Sequence, residues 1–313
     1  MNAGWQDSAK FPRLQAGRTV LAPDALTYNP CDDLIFPSVV RASEYLRHPL
    51  GRYYLYYAPH DAPGGICLAY TDTVDGPWHE HPSNPLVTRA WVPHYEVEHV
   101  SSPHAMWRSD REELWLYYHG DNETTRWATS RDGVAFEYGG EVVHAASLGM
   151  DGASYARVFA SPFRHGRAPY VMLLLLYEYV DGSWTDFSRF GIYGAWSHDG
   201  ATWDIVERPI IDHTDGLGSF VCSPFLSAIG DRAVMLFHVD HDGPDRPTTD
   251  VYGIEIDDSL VAIGSSTLVC DRRVFGVANE RVSDPCLLIE DGRWHLFVSV
   301  GPRLHQRVGL VKS

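Results

Sequence analysis

Short apolar runs broken by polar turns recur along the whole chain, and the stretch SPHAMWRSDREELWLYYH, residues 102–119, shows the pattern in its simplest form. Alternating apolar and polar positions predict a β-strand, a charged turn and a second strand, since strand side chains point to opposite faces with a period of two. The same grammar appears as FPSVV with YYLYYAPHD, SPFRH with YVMLLLLYEY, SPFLS with RAVMLFHVDHD, and DPCLL with RWHLFVSVG. Its prolines fall at Pro37, Pro103, Pro162, Pro224 and Pro285, at intervals of 66, 59, 62 and 61 residues. A regular interval of this length is the signature of a radially repeated fold.

A third strand follows each second one, and three of them end in a tight turn: ICLAYTDTVDGPW, RWATSRDGVAF and IYGAWSHDGATW. Asp-Gly supplies the positive φ angles of a short hairpin, so a fourth strand should follow. NPLVT, EVVHA, RPIID and STLVC fit that role. The fifth unit lacks a fourth strand, which RTVLAP, residues 18–23, can supply from the N-terminus. The prediction is all-β: a five-bladed β-propeller of four-stranded blades, one domain over residues 1–313, its ring closed by the N-terminal strand. A pair of β-sandwiches is the rival, and it does not explain an interval near 60 around the whole chain. Few stretches keep a helical period, and Pro and Gly interrupt those.

Composition agrees with this reading. Hydrophobic residues make up 44 % of the 313, with 27 Gly, 20 Pro, 10 Trp, 17 Tyr and 12 Phe. Acidic residues outnumber basic ones 41 to 25, a formal charge of −16, which excludes a nucleic-acid partner held through phosphates. No apolar run approaches the roughly 18 residues of a membrane span, and the opening MNAGWQDSAKFPR lacks a secretory pattern. A soluble, cytoplasmic chain without membrane contact is expected, its oligomeric state left open. The five cysteines, Cys31, Cys67, Cys222, Cys270 and Cys286, are scattered without a C-x-x-C pair and are expected as free thiols.

In such a ring the segments before each proline and after each second strand converge on one central funnel. They carry Asp32, Asp33, His60, Asp61, His99, His104, His119, Asp121, Glu123, Arg157, Glu178, His238, Asp240, His241 and Asp284, beside Tyr57, Trp107, Tyr118, Tyr155 and Tyr177. Aromatic faces with convergent carboxylates suit a carbohydrate. Cleaving a glycoside needs one protonated carboxyl and one carboxylate.

The NP…PSVVR opening, YYLYYAPHD, LAYTDTVDGPW and SPHAMW together resemble glycoside hydrolase family 43 and its five-bladed relatives, over essentially the whole chain. The resemblance implies a glycosidase on short plant or algal oligosaccharides, exo-acting, releasing arabinose, xylose or, in one related family, 3,6-anhydrogalactose. It also implies a general base before the first proline, a tuning Asp before the second and an acid before the third. Those positions hold Phe36, Ser102, and Ala160 with Ser161. Acid and base must then lie elsewhere in the funnel, or the scaffold carries another chemistry.

Asp33 is the nearest base, or else a turn carboxylate. Glu178 closes an apolar strand, where burial would keep it protonated as the acid, or else is a strand-end carboxylate paired with Arg157. Asp151 is the second choice of acid, or turns the chain at Asp-Gly. His60, His104, His119, Asp121, Arg157, Tyr155, His238 and Asp284 are the expected sugar-binding set, the histidines alternatively proton donors, structural groups, or ligands of a divalent metal in the channel. No cofactor is required. SHDGATW, residues 197–203, is read as an outer hairpin. Two other readings stay open. One is a lyase using His and Tyr on a uronic-acid polymer, with Arg157, Arg126 and Arg281 in the funnel; the other is a sugar-binding propeller without catalysis.

Overall fold

The computed structural model describes residues 11–60, 62–241, 248–277 and 280–313; Asp61, one of the expected funnel carboxylates, lies outside them. Among the described residues, twenty-three strands account for nearly all regular structure. The described α-helix is the single turn α1 (Ala42–Tyr45), joined by three short 3₁₀ turns.

The first unit contains β2 (Ile35–Val40), β3 (Tyr53–Ala58), β4 (Cys67–Thr71) and the two-residue β5 (His79–Glu80), and follows the N-terminal β1 (Arg18–Leu21). A small ribbon, β6 (Ala90–Trp91) with β7 (Tyr95–Glu96), leads to the second unit: β8 (Val100–Arg108), β9 (Glu113–Gly120), β10 (Thr124–Ser130) and β11 (Glu137–His144). The third has β12 (Gly152–Ala160), β13 (Tyr170–Val180), β14 (Ser183–Ser197) and the short β15 (Asp204–Ile205) and β16 (Ile211–Asp212), both on β14. The fourth runs β17 (Phe220–Ile229), β18 (Arg232–Asp240), β19 (Thr249–Ile256), β20 (Ala262–Cys270). The last has β21 (Arg281–Glu290), β22 (Arg293–Gly301) and β23 (Arg307–Lys312), and β1 pairs antiparallel on β23 with Arg18 opposite Leu310. Each unit is an antiparallel meander, and one parallel bridge, Thr249 with Arg281, joins the fourth to the fifth. First strands neighbour one another in succession, β2 with β8, β8 with β12, β12 with β17, β17 with β21, and β21 with β2.

Apolar residues on facing strands of neighbouring units interdigitate, as Val171, Leu173, Val221 and Met235 do between the third and fourth, removing the alternating apolar faces from water. NPLVT does not form the expected fourth strand of its unit: Val87 makes one bridge to Ile66, and β5 takes the outer place. SHDGATW is the outer hairpin between β14 and β15. There the Ser197 hydroxyl accepts from the Gly200 amide at 2.8 Å, and Asp199 from the amides of Ala201 and Thr202.

Every first strand carries the same irregularity. The ladder skips between Ile35 and Ser38, Ser101 and His104, Ser154 and Arg157, Cys222 and Phe225, and Ser283 and Cys286. The second residue of each interval is left-handed: Phe36 (φ 55°), Ser102 (56°), Tyr155 (55°), Ser223 (53°) and Asp284 (52°). Bulges of this kind kink a strand and re-aim one side chain. An L-residue in this region costs about 1–2 kcal/mol, more than one bulky ring would adopt unaided. The third unit therefore aligns on Tyr155–Ala156 and not on Ser161–Pro162, which follows the end of β12. The expected alignment there was displaced because Ala156 replaces the proline and a second Ser-Pro lies downstream.

Candidate active site

Phe36, Tyr155 and Asp284, three of the five left-handed residues, line one cavity of about 210 Å³ at the start of the first strands. Two chemistries meet there. Leu175, Tyr177, Tyr179, Phe187, Phe190, Phe220 and Cys222 form one apolar cluster in its lining, and the lining also carries His60, His238, Asp240, Arg281, Asp284, Arg303 and Gln306.

His238 stands between two carboxylates. Its Nδ1 accepts the backbone N–H of Asp284 at 3.3 Å and lies 3.6 Å from Asp284 Oδ1. Its Nε2 is 4.0 Å from Asp240 Oδ1. Burial drives the imidazole down to about 4 against the pull of Asp284, so it is neutral near pH 7. With Nδ1 accepting, the ring proton of the neutral form sits on Nε2.

Asp240 and Asp284 are pushed in opposite directions. Burial, helped by the Asp284 charge, raises Asp240 to about 6 although Arg281 opposes it. Arg281 donates to both its oxygens, at 3.1 and 3.4 Å. Burial also pushes on Asp284, but His238, hydrogen bonds from Ser223 and Ser299, and the Arg157 charge hold it below the usual carboxylate range. Ser223 Oγ donates to Asp284 Oδ1 at 2.6 Å, using the left-handed residue of the neighbouring unit.

Asp33 is buried; its Oδ1 accepts from the Gln306 amide at 2.5 Å, and its Oδ2 lies 3.3 Å from His60 Nδ1. It borders the cavity through His60 and Gln306, both of which line it. Tyr155 packs its ring on Phe36, 4.7 Å between centroids, and its phenol is raised by burial.

Other expected residues sit elsewhere. Glu178 is opposite Arg189 in the β13–β14 ladder, about one-third exposed, paired with Arg189 at 3.0 Å and with the Ser188 hydroxyl at 2.8 Å. It neither lines the cavity nor meets Arg157, so the buried acid expected there is corrected to a surface ion pair. Asp151 is exposed and accepts the Tyr179 backbone N–H at 2.7 Å, a cross-strand contact to β13 outside the cavity's lining. Asp121 accepts from the amides of Glu98 and His99, a loop anchor outside the cavity. His119 is buried beneath Tyr155, its ring nitrogens without a hydrogen-bond partner, and burial with the neighbouring His99 holds it well below the usual range.

Arg157 and His104 lie deeper along the axis. Arg157 is fully buried, donates to the Pro37 carbonyl at 3.2 Å and rests 5.5 Å from the Phe225 ring centroid. His104 Nε2 meets the Val158 carbonyl at 2.8 Å, and the ring faces a separate cavity of about 530 Å³ at the far ends of the first strands. Arg157 lines neither cavity, and His104 lines the far one. Of the four expected histidines only His119 and His238 are equivalent, opposite Ser101 and Cys222 in their ladders. Among the described residues no three His, Cys, Asp or Glu are grouped to hold a metal ion. No described helix is long and apolar enough to cross a membrane.

Asp240 and Arg281 were in view in the sequence but not singled out. Their signal was position: Asp240 follows His238 by two residues in HVDHD, and Arg281 opens the last first strand.

No family model matches the sequence, and no curated protein does. Solved structures do match. A glycoside hydrolase superposes with a TM-score of 0.70 at 12 % identity, over 96 % of this chain and 92 % of that one. A thermostable family-43 glycoside hydrolase gives 0.64 at 12 % identity over 90 % of both chains. An exo-1,5-α-L-arabinanase from a bovine ruminal metagenomic library gives 0.59 at 12 % identity, over 90 % of this chain and 94 % of that one. The scaffold is that of the propeller glycoside hydrolases of the family-43 kind. At these identities the likeness is one of fold.

Proposed function

We propose that the chain is a glycoside hydrolase, built as a five-bladed β-propeller closed by β1 on β23, that removes a terminal sugar from short oligosaccharides. The succession of first-strand contacts from β2 round to β21 and back, with the β1–β23 pairing, supports the ring. A volume of about 210 Å³ lies below the roughly 300–1,000 Å³ of pockets for drug-sized ligands, which favours a short sugar over a length of polymer. That size supports exo action.

The observation that carries the reading is the opposed ionisation of Asp240 and Asp284 in one cavity. Two carboxyls held apart in this way divide into acid and base. Asp240, protonated up to about pH 6, donates to the glycosidic oxygen as the bond breaks. Asp284, ionised and fixed by Ser223, takes the proton of the attacking water. His238 fixes their relative positions, Asp33 positions His60, and the aromatic wall stacks the sugar's C–H face. The chemistry requires no cofactor.

A screen of nitrophenyl glycosides and plant or algal oligosaccharides supplies the substrate. Asp240→Asn and Asp284→Asn are each expected to lower kcat by about a thousandfold or more with the fold intact. Wild-type turnover in both variants overturns the assignment.

A further inference from the structure

The third unit departs from the others in length. Its second and third strands span 11 and 15 residues, against 6 and 5 in the first unit, 8 and 7 in the second, 9 and 8 in the fourth and 9 and 6 in the fifth. The extra length is a hairpin that carries Tyr179 and Phe187 to the cavity. There they join Tyr177, Phe190 and Phe220 in one body of rings. Centroids are 4.7 Å apart for Phe187 and Phe190, 4.8 Å for Phe190 and Phe220, and 5.2 Å for Tyr179 and Phe187. Leu175 also lines the cavity.

A sugar stacks on one or two rings and turns its hydroxyls to polar groups. Here three phenylalanines and a leucine pack in one cluster with Tyr177, Tyr179 and Cys222, and none of the lining's carboxylates, arginines or histidines belongs to it. A hydroxyl aimed at that wall loses its water and finds no donor or acceptor in the phenylalanines or the leucine. An alkyl group there loses nothing and gains contact. We infer that the extended hairpin is a specificity element and that the sugar bound in this cavity is a 6-deoxyhexose, its methyl group against Phe187, Phe190 and Phe220. The inference rests on the cavity being the sugar site proposed above, and it deepens that reading by naming the sugar class. Exchanging a methyl for a hydroxymethyl group against an apolar pocket is worth about 10–100-fold.

Binding tests this without turnover. Titration calorimetry with the full chain compares matched free sugars: L-fucose with L-galactose, L-rhamnose with L-mannose, and D-fucose with D-galactose. The expected result is a Kd at least about tenfold lower for the deoxy member of one pair, with Phe187→Ala reducing that ratio towards unity. Equal or tighter binding of the hydroxylated member in every pair overturns the inference, as does absence of binding by all six sugars. Deoxy preference without hydrolysis of any glycoside leaves the inference standing and removes the hydrolase reading; hydrolysis without deoxy preference does the reverse.

Discussion

Asp240→Asn separates the ionisation of the candidate acid from everything else in the protein. In the folded chain the Asp240 carboxyl is displaced from 3.8 to about 6, so the native state keeps a proton that the unfolded chain has already released. The stability this confers is fully present below pH about 4 and is lost as the pH rises through about 6. At about 1.36 kcal/mol per pH unit the loss comes to about 3 kcal/mol. His238 acts with the opposite sign over the same range. Its imidazole is lowered from 6.5 to about 4, so its contribution is full above pH 6.5 and lost as the pH falls through about 4. In the wild type the two nearly cancel. Replacing Asp240 by Asn removes one of them, and leaving Arg281 unpaired adds only an offset that does not vary with pH. Chemical unfolding at half-unit steps from pH 4 to 8 gives the difference in stability between variant and wild type. That difference is expected to move in favour of Asp240→Asn by about 3 kcal/mol between pH 4 and 7, equivalent to about 5 °C in Tm. A flat difference curve, or one that moves towards the wild type, refutes a proton held on Asp240.

Two further outcomes bear on the site. Arg281→Gln removes the cation that opposes burial at Asp240, so the alkaline limb of the activity profile is expected to move up by about one pH unit or more; profiles of kcat/KM on any accepted glycoside decide it. Glu178→Gln breaks only a partly exposed ion pair, and is expected to leave turnover within about threefold and stability within about 1 kcal/mol in urea titrations.

The strands were legible because each unit buries its alternating residues in the same way, so the period of the chain repeats the period of the architecture. Where a local substitute appeared, the reading slipped: Ala156 occupies the place of a proline, and Ser161–Pro162 offered a decoy six residues on. Glu178 misled for a different reason. An unbroken apolar strand predicts burial, but β13 runs on past the core into the long hairpin, and Glu178 falls on the part that meets Arg189 in solvent. His60, His238, Tyr155 and Asp284 all line the cavity, the first two from the ends of second strands and the last two from first-strand bulges. Asp240 was in the same set, but its distinction depends on burial and on Arg281, 41 residues away, and neither is written in the local sequence.

Arg157 is a charge set deep inside this molecule. Its guanidinium is held by the Pro37 carbonyl and the Phe225 ring, and its charge helps to lower the Asp284 carboxyl. A proposed base that feels a cation lining neither cavity is tuned from behind, without loss of any room a ligand needs.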